Sequence, residues 1–264
     1  MQFSDLIGHD LGKHRVTYSS ETAILYALAV GAAPDQLELT YERDLRVPPC
    51  FGTALGLWAV EKAGDLGAYD RKMSLHASQE LVVHKPLPKK GDFEMTGRVA
   101  GVWDKGRATM VDIVAECEYF SASYGIFLPG RGGWGGERGP ASAAVEMGEP
   151  DWTASYATWP NQAAIYRLTG DMHPIHIDPE VAAANGFDRP ILHGLCTLGI
   201  AARMLAAAAD AHPCDLTSLS ARLAAPVLPG EVIKTSASRK DDLLFFDSAT
   251  KNATVLKGGT AKYC

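Results

Sequence analysis

An acid and a histidine that could work together on a water molecule lie within the segment GDMHPIHIDP, residues 170–179. Asp171 and His176 offer a carboxyl and an imidazole, the two groups most often used for general acid–base chemistry. Pro174 disfavours helix at His173, so the segment should bend instead of continuing as a regular helix. A bend could bring the two side chains face to face. We therefore take Asp171 and His176 as a candidate acid–base pair.

The end of the same segment predicts the start of a helix. Asp178 is a good N-cap because its carboxylate can accept hydrogen bonds from the first free N–H groups of a helix. Pro179 would then occupy the first helical position, where the missing N–H costs nothing. The helix PEVAAANG should stop at Asn185-Gly186. Asp178 is accordingly predicted to be structural, not catalytic.

A candidate anion site lies shortly downstream, in RPILHGLCTLG. This stretch opens a long apolar helix, and Gly194 falls near the first turn. Backbone N–H groups there have no partner within the helix and carry the positive end of its dipole. A glycine also lets a ligand approach closely. The N–H of Gly194 is therefore a candidate oxyanion donor.

The elements that must position these groups occur twice along the chain. In the first half, Ser19 or Ser20 should cap a helix through ETAILYALAVGA, and PPCFGTALGLWAVEKAGD reads as one further apolar helix. Alternating apolar residues on both sides of the turn DKGR predict a hairpin, with Gly106 at positive φ.

The second half repeats this order, with a long helix through ILHGLCTLGIAARMLAAAAD and strand-like runs after it. The short stretch CFGTALG echoes HGLCTLG, which aligns Phe51 with His193 and Gly52 with Gly194. Each half would be a long helix packed on an antiparallel sheet, an α+β architecture made of two repeats. The competing interpretation, that any α+β chain yields such echoes, stays open at this point.

Composition excludes several classes of protein. A chain of 264 residues with 47% hydrophobic and 21% charged residues has the balance of an ordinary globular protein. Its net charge of −6 argues against a general nucleic-acid binder, which would need a basic face. No apolar run is long enough to span a bilayer, and the first residues lack the core of a signal peptide. The five cysteines form no CxxC pair, which disfavours a disulfide framework or a zinc knuckle. We expect a cytoplasmic protein with no membrane or nucleic-acid partner.

The stretch YRLTGDMHPIHIDPEVAAANGFDRPILHGLCTLG resembles the motif of the MaoC-like (R)-specific enoyl-CoA hydratases, the hydratase 2 family. That motif runs approximately S/T-G-D-x-N-P-L/I-H, with asparagine where this chain has His173. Further segments resemble the same family in the same order, and these are AILYALAVGA, LHASQELVVHKPLP, IFLPGRGGWGGERGP and ARLAAPVLPGE. The resemblance therefore covers nearly the whole chain.

The resemblance implies a double hot-dog fold. Its N-terminal repeat would span residues 1–128, a Gly-rich linker residues 129–153, and the C-terminal repeat with the motif residues 154–264. The first repeat has no counterpart of the motif, and Phe51 stands where the echo would place a histidine. We therefore expect one catalytic copy and one copy that shapes a tunnel for the acyl chain.

The resemblance also implies an activity, the reversible hydration of trans-2-enoyl-CoA to (3R)-3-hydroxyacyl-CoA, as in β-oxidation or related acyl-CoA metabolism. It makes Asp171 and His176 the catalytic pair and Gly194 the oxyanion donor. His176 suits the role of base and Asp171 that of proton donor, although the division stays open. No cofactor is implied beyond the CoA of the substrate, and a homodimer is expected. The candidate substrate-binding residues are His173, His193, Lys85 and Arg189.

Alternative interpretations remain. A thioesterase on the same fold would use the same oxyanion donor but direct water to the carbonyl carbon. A non-catalytic acyl-CoA-binding subunit would need no acid–base pair. A metal site built from Asp171, His173, His176 and His193 is disfavoured, because Pro174 prevents the regular helix on which H-x-x-H pairs usually bind zinc. We therefore expect no metal.

Overall fold

Ten strands and eight α-helices make up the part of the chain that the computed structural model describes, residues 1–140 and 147–264. The strands are β1 (Asp10–Tyr18), β2 (Leu75–Val83), β3 (Gly91–Asp104), β4 (Ala108–Glu116), β5 (Phe120–Pro129), β6 (Trp152–Ala157), β7 (Leu216–Leu223), β8 (Val232–Lys240), β9 (Leu243–Ala249) and β10 (Thr254–Tyr263). The helices are α1 (Phe3–Leu6), α2 (Ser20–Ala29), α3 (Leu37–Thr40), α4 (Phe51–Leu55), α5 (Leu57–Asp65), α6 (Gln162–Tyr166), α7 (Pro179–Ala184) and α8 (Gly194–Ala208).

The strands form one antiparallel sheet whose order shows the duplication directly. The order is β1-β3-β4-β5-β2-β7-β10-β9-β8-β6. Read outward from the centre, the first repeat runs β2-β5-β4-β3-β1 and the second runs β7-β10-β9-β8-β6. The two orders are the same when the five strands of each repeat are numbered along the chain. β2 and β7 pair at the junction, where Leu81 lies opposite Leu219 and both are buried. The α+β class with two helix-on-sheet repeats is confirmed, while the exact repeat and linker boundaries stay predictions. The predicted linker also lies partly outside the described residues.

Helix α8 covers the second half of the sheet. It contacts β7, β8, β9 and β10, and most of its side chains are buried. A helix that is apolar on nearly every side must be enclosed, which explains this central position. The predicted long helix of the second half is therefore confirmed.

The corresponding helix of the first half is broken, and the prediction of one continuous helix after Pro49 was wrong. α4 ends at Leu55 and α5 starts at Leu57, with Gly56 between them. The Tyr124 side chain of β5 lies where a Cβ on Gly56 would be, and its hydroxyl donates to the carbonyl of Thr53 at 2.7 Å. Packing from a distant strand thus accompanies the break.

The predicted hairpin is confirmed. β3 and β4 pair on both sides of the DKGR turn. Gly106 has φ of +87°, a backbone conformation that is unfavourable for residues other than glycine. The Asp104 carboxylate accepts hydrogen bonds from the N–H groups of Gly106, Gly133 and Gly135 at 2.8–2.9 Å. This carboxylate ties the turn to the glycine-rich segment that follows β5.

Two strands at the ends of the sheet, β1 and β6, were not predicted from the sequence. β1 lies at one edge, where the exposed Lys13 and Arg15 pair with Glu94 and Asp92 of β3. β6 lies at the other edge and begins within the predicted linker. Only three of the nine residues of β1 are buried, and β6 has six residues with no fully buried side chain, so neither edge strand gives a strong signal in the sequence.

The two repeats are bonded to each other near the start of α8. The main-chain carbonyl of Ala29 in α2 accepts from Gln162 Nε2 at 2.6 Å and from Cys196 Sγ at 3.4 Å. The carbonyl of Val30 accepts from Arg203 Nε at 2.9 Å. The GDMHPIHIDP segment follows α6, so it is held against the first repeat.

Among the helices within the described ranges, none has the length and apolar character needed to cross a bilayer.

Candidate active site

The segment that carries the candidate pair is an irregular bend followed by one 3₁₀ turn, Pro174–His176. The Asp171 carboxylate accepts from the N–H of His173 at 3.3 Å. His173 in turn caps the 3₁₀ turn, since its Nδ1 accepts from the N–H of Ile175 at 3.3 Å. Such local bonds hold a bend without a helix or strand. The predicted bend between Asp171 and His176 is thus confirmed.

His176 points its ring at the chain just before α8. Its Nδ1 lies 2.8 Å from the carbonyl oxygen of Ile191. A carbonyl only accepts, so Nδ1 must carry the proton, and Nε2 of the neutral ring then has a free lone pair. Burial lowers the pKa of His176 below its ordinary value of 6.5, partly opposed by the Asp171 carboxylate. His176 is therefore held neutral, with Nε2 ready to accept a proton.

Three side chains meet at this point. One nitrogen or carboxylate oxygen from each of Asp171, His176 and His193 lies within 4.8 Å of the other two. The rings of His176 and His193 are stacked, with centroids 3.6 Å apart and planes 25° from parallel. The bend therefore assembles the two predicted catalytic side chains beside a third titratable group.

The same three residue types could in principle bind a transition metal. The lone pairs of an imidazole lie in the plane of its ring, so the lone-pair lines of the two stacked rings lie in planes tilted by only 25° from each other. A shared metal needs these lines to converge at one point about 2 Å from each nitrogen. The stacking thus favours two interacting histidines over a metal-binding pair.

His193 is fully buried, and its Nε2 lies 3.1 Å from the main-chain carbonyl oxygen of Asp171. Burial and the neighbouring His176 lower the pKa of His193 to about 3. The ring of Tyr166 packs on its other side, with centroids 4.8 Å apart. Burial disfavours the predicted direct substrate contact of His193, and that role stays a prediction.

Gly194 is the first residue of α8, with His193 as its N-cap. Its N–H belongs to the first turn, whose amide groups lack partners within the helix. A Cβ at this position would meet the Leu223 side chain at 3.0 Å. The N–H of Gly194 thus directly follows His193 of the cluster, at the positive end of a 15-residue helix.

The structural role predicted for Asp178 is confirmed. Its carboxylate accepts from the N–H groups of Glu180 and Val181 at 2.8 and 3.4 Å, and Pro179 is the first residue of α7. The helix stops before Gly186, which has φ of +82°. This cap fixes the chain just after His176.

The remaining predicted binding residues lie at different distances from the cluster. His173 is exposed beside it, with its ring centroid 6.1 Å from that of His176. Arg189 is exposed and only two residues before Ile191. Lys85 lies two residues beyond the end of β2, whose other end carries His76, a residue close to Asp171. About 30 Å of extended chain separates Lys85 from His76, and Lys85 pairs with Glu118 at 2.9 Å. The structure thus does not bring Lys85 into the cluster.

A further histidine, His76 of the first repeat, lies close enough to Asp171 to feel its charge. His76 lies on β2 next to a register shift between His76 and Ser78, and such bulges often re-aim side chains beside functional sites. Burial lowers the pKa of His76 to about 4, and the Asp171 carboxylate opposes this shift. The spacing of residues within LHASQ does not predict that His76 lies near Asp171, because this proximity depends on strand pairing across the sheet.

Fold and site together define a class: a double hot-dog protein with an aspartate–histidine pair beside the N-terminus of the central helix of its second repeat. Two family descriptions match the chain. Residues 16–125 match the MFE-2 hydratase 2 N-terminal domain, and residues 143–260 match the MaoC like domain. The chain belongs to the MaoC-like hydratase 2 family.

Individual relatives agree with this assignment. The chain is 34% identical to mouse peroxisomal multifunctional enzyme type 2, covering 93% of this chain but only 36% of that protein. It is 31% identical to the peroxisomal enoyl-CoA hydratase 2 of Arabidopsis thaliana, covering 96% of this chain and 93% of that protein. The crystal structure of a MaoC-like dehydratase from Phytophthora capsici superposes with a TM-score of 0.89 at 26% identity, covering 100% of this chain and 98% of that one.

Proposed function

We propose that the chain is a hydro-lyase that reversibly hydrates trans-2-enoyl-CoA to (3R)-3-hydroxyacyl-CoA. The observation that carries this proposal is the meeting of Asp171 and His176 beside the free N–H groups at the start of α8. The names of the relatives, hydratases and dehydratases, support the same reaction class. The (3R) configuration rests on the family resemblance.

His176 acts as the base in this proposal. Its free Nε2 takes a proton from a water molecule, whose oxygen adds to C3 of the enoyl group. The Asp171 carboxyl holds the same water, and the pair returns a proton to C2. The bonding of Nδ1 to Ile191 supports this direction, because it leaves Nε2 as the acceptor. General acid–base help of this kind typically contributes about 10²–10⁴-fold in rate.

Gly194 stabilises the intermediate. As water adds, the electrons of the double bond move towards the thioester, and negative charge gathers on its oxygen. The N–H of Gly194 donates to that oxygen, aided by the dipole of α8. When the enolate collapses and C2 is protonated, water has been added across the double bond. This chemistry uses no metal or cofactor beyond the CoA of the substrate.

The surroundings of the pair fit an acyl thioester. Met172 and Ile177 lie within the catalytic segment and Leu168 just before it, and each has more than 40% of its surface exposed. Exposed apolar side chains beside a polar cluster suit a ligand with an apolar chain. Of the two cationic residues among the candidate substrate-binding residues, Arg189 lies on the segment next to Ile191, whereas Lys85 would have to meet a distant part of CoA.

Product analysis tests the proposal. The purified protein is incubated with trans-2-enoyl-CoAs of several chain lengths, and hydroxyacyl-CoA and free thiol are measured together. We expect (3R)-3-hydroxyacyl-CoA without free CoA. Free CoA without hydroxyacyl-CoA would instead support the thioesterase, and binding without turnover would support an acyl-CoA-binding subunit.

The cellular setting and assembly are also proposals. We propose a homodimer that acts in the cytoplasm within β-oxidation or related acyl-CoA metabolism, and a first repeat that shapes the acyl tunnel. The family resemblance supports the dimer and the tunnel. Light scattering of the purified protein measures whether it is a dimer. Imaging of the tagged protein in cells measures its location, and a peroxisomal signal would contradict the proposed cytoplasmic location.

A further inference from the structure

We infer that His193 is a positioning residue that holds both members of the catalytic pair. It donates its Nε2–H to the carbonyl of Asp171 and stacks its ring on that of His176. This inference rests on the proposed roles of Asp171 and His176. It assigns no contact between His193 and the reacting atoms.

The hydrogen bond fixes the tautomer of His193. Its partner is a carbonyl oxygen, so Nε2 carries the proton and Nδ1 bears the lone pair. That Nδ1 is buried and has no hydrogen-bond partner among the described residues. An unpaired buried acceptor is unfavourable, whereas an apolar ring could fill the same space without one. The presence of this unpaired Nδ1 is explained if the site requires both the Nε2–H hydrogen bond to Asp171 and the ring stack on His176.

The bond acts on the backbone of the bend. Asp171 lies in a stretch without regular secondary structure, so few main-chain bonds hold it in place. The donor on His193 comes from the cap of α8, a rigid element, and reaches across 22 residues of sequence. It therefore ties the position of Asp171 to the same helix start that presents the N–H of Gly194.

The stack acts on His176. A neutral ring beside His176 fixes the orientation of its Nε2 and presents a π-face to the imidazolium that forms during the reaction. A charged neighbour would oppose that imidazolium. The pKa of about 3 keeps His193 neutral throughout the range in which His176 changes its charge.

Two substitutions separate the bond from the stack. His193→Phe keeps an aromatic ring but removes the donor, whereas His193→Gln places an amide N–H near the position of Nε2. We expect kcat of H193F to fall about 10- to 100-fold, because displaced catalytic groups lose rate steeply. KM should change by less than about twofold, since the lost interaction acts on the transition state. H193Q should recover part of the lost kcat.

His212→Phe provides the matched control. His212 is likewise the N-cap of a helical turn, although its Nδ1, unlike that of His193, accepts from the N–H of Cys214, and it lies beyond the other end of α8. Its replacement should leave kcat unchanged. Wild-type kcat in H193F, or an H193Q variant as slow as His193→Ala, would overturn the inference while leaving the hydratase proposal intact.

A measurement on the wild-type protein does not depend on activity or on the folding of variants. In protein labelled with ¹⁵N-histidine, we expect the His193 ring to show a protonated Nε2 and a bare Nδ1 from pH 8 down to pH 5. A ring protonated at Nδ1, or one that titrates near pH 6.5, would overturn the inference whether or not the protein hydrates enoyl-CoA.

Discussion

His173 shows how a residue that departs from the family motif can keep the local structure. The motif usually has asparagine at this position, and the side-chain oxygen of asparagine can accept from the N–H two residues ahead. Here Nδ1 of His173 accepts from Ile175 in the same way. The departure therefore preserves the cap of the turn that carries His176 and adds a titratable ring.

Replacing His173 by Asn should keep hydration within about threefold of wild type, because both side chains can cap the turn. Burial is the main cause that lowers the pKa of His176 and His173 adds to it, so the variant should also show a slightly higher pH midpoint of kcat/KM. Steady-state kinetics across pH measures both quantities. Complete loss of activity would show that the histidine has a distinct chemical role.

The pH dependence of the wild-type enzyme follows from the state of His176. The base must be neutral, and burial lowers the pKa of His176 from 6.5. Activity should therefore persist as pH falls below 6.5 and disappear only when pH passes through the lowered pKa. A profile of kcat/KM measures this midpoint, and a midpoint above 6.5 would contradict the proposed environment of the base.

At the scale of elements, the start of α8 offers a way to remove one N–H without removing a side chain. Proline is well tolerated at the first position of a helix, and the residue before it must be extended. His193 already has φ of −59° and ψ of 134°, which satisfies that condition. Gly194→Pro should therefore delete the proposed oxyanion donor while the helix persists.

We expect kcat of G194P to fall about 10²–10³-fold, the usual effect of losing one oxyanion donor. Gly194→Ala is the matched control, because it crowds Leu223 in a similar way but keeps the N–H. Circular dichroism should show both variants folded. Equal kcat in the two variants would remove Gly194 from the proposed mechanism.

Elements fixed by neighbouring residues could be predicted from the sequence. Ser19 accepts from the N–H of Thr22 at the start of α2, as its position before the helix indicated. The break at Gly56 could not be predicted, since it depends on Tyr124 from another strand. The same distinction holds in the site. Asp171 and His176 lie within one short motif, whereas the approach of His193 and His76 depends on tertiary packing.

At the scale of the whole molecule, the catalytic repeat depends on its partner repeat. β2 and β7 pair at the centre of the sheet, and the carbonyls of Ala29 and Val30 at the end of α2 accept three side-chain bonds from the second repeat. Separation would expose the buried Leu81 and Leu219 together with two unpaired strand edges. The site is therefore a property of the complete double repeat.

A chain divided after Gly148 tests this dependence. We expect residues 1–148 and 149–264 each to aggregate or remain unfolded alone, and to form an active complex when produced together. Size-exclusion chromatography followed by a hydration assay measures the outcome. A folded, active fragment 149–264 would show that the first repeat is dispensable.

The account depends most on Asp171 and His176 acting as the catalytic pair. The most direct measurement is kcat for hydration of a trans-2-enoyl-CoA by the wild-type protein and by Asp171→Asn and His176→Ala, with folding checked by thermal unfolding. Loss of a general acid or base should lower kcat about 10²–10⁴-fold in each variant while both stay folded. Near wild-type turnover in either folded variant would contradict the assignment.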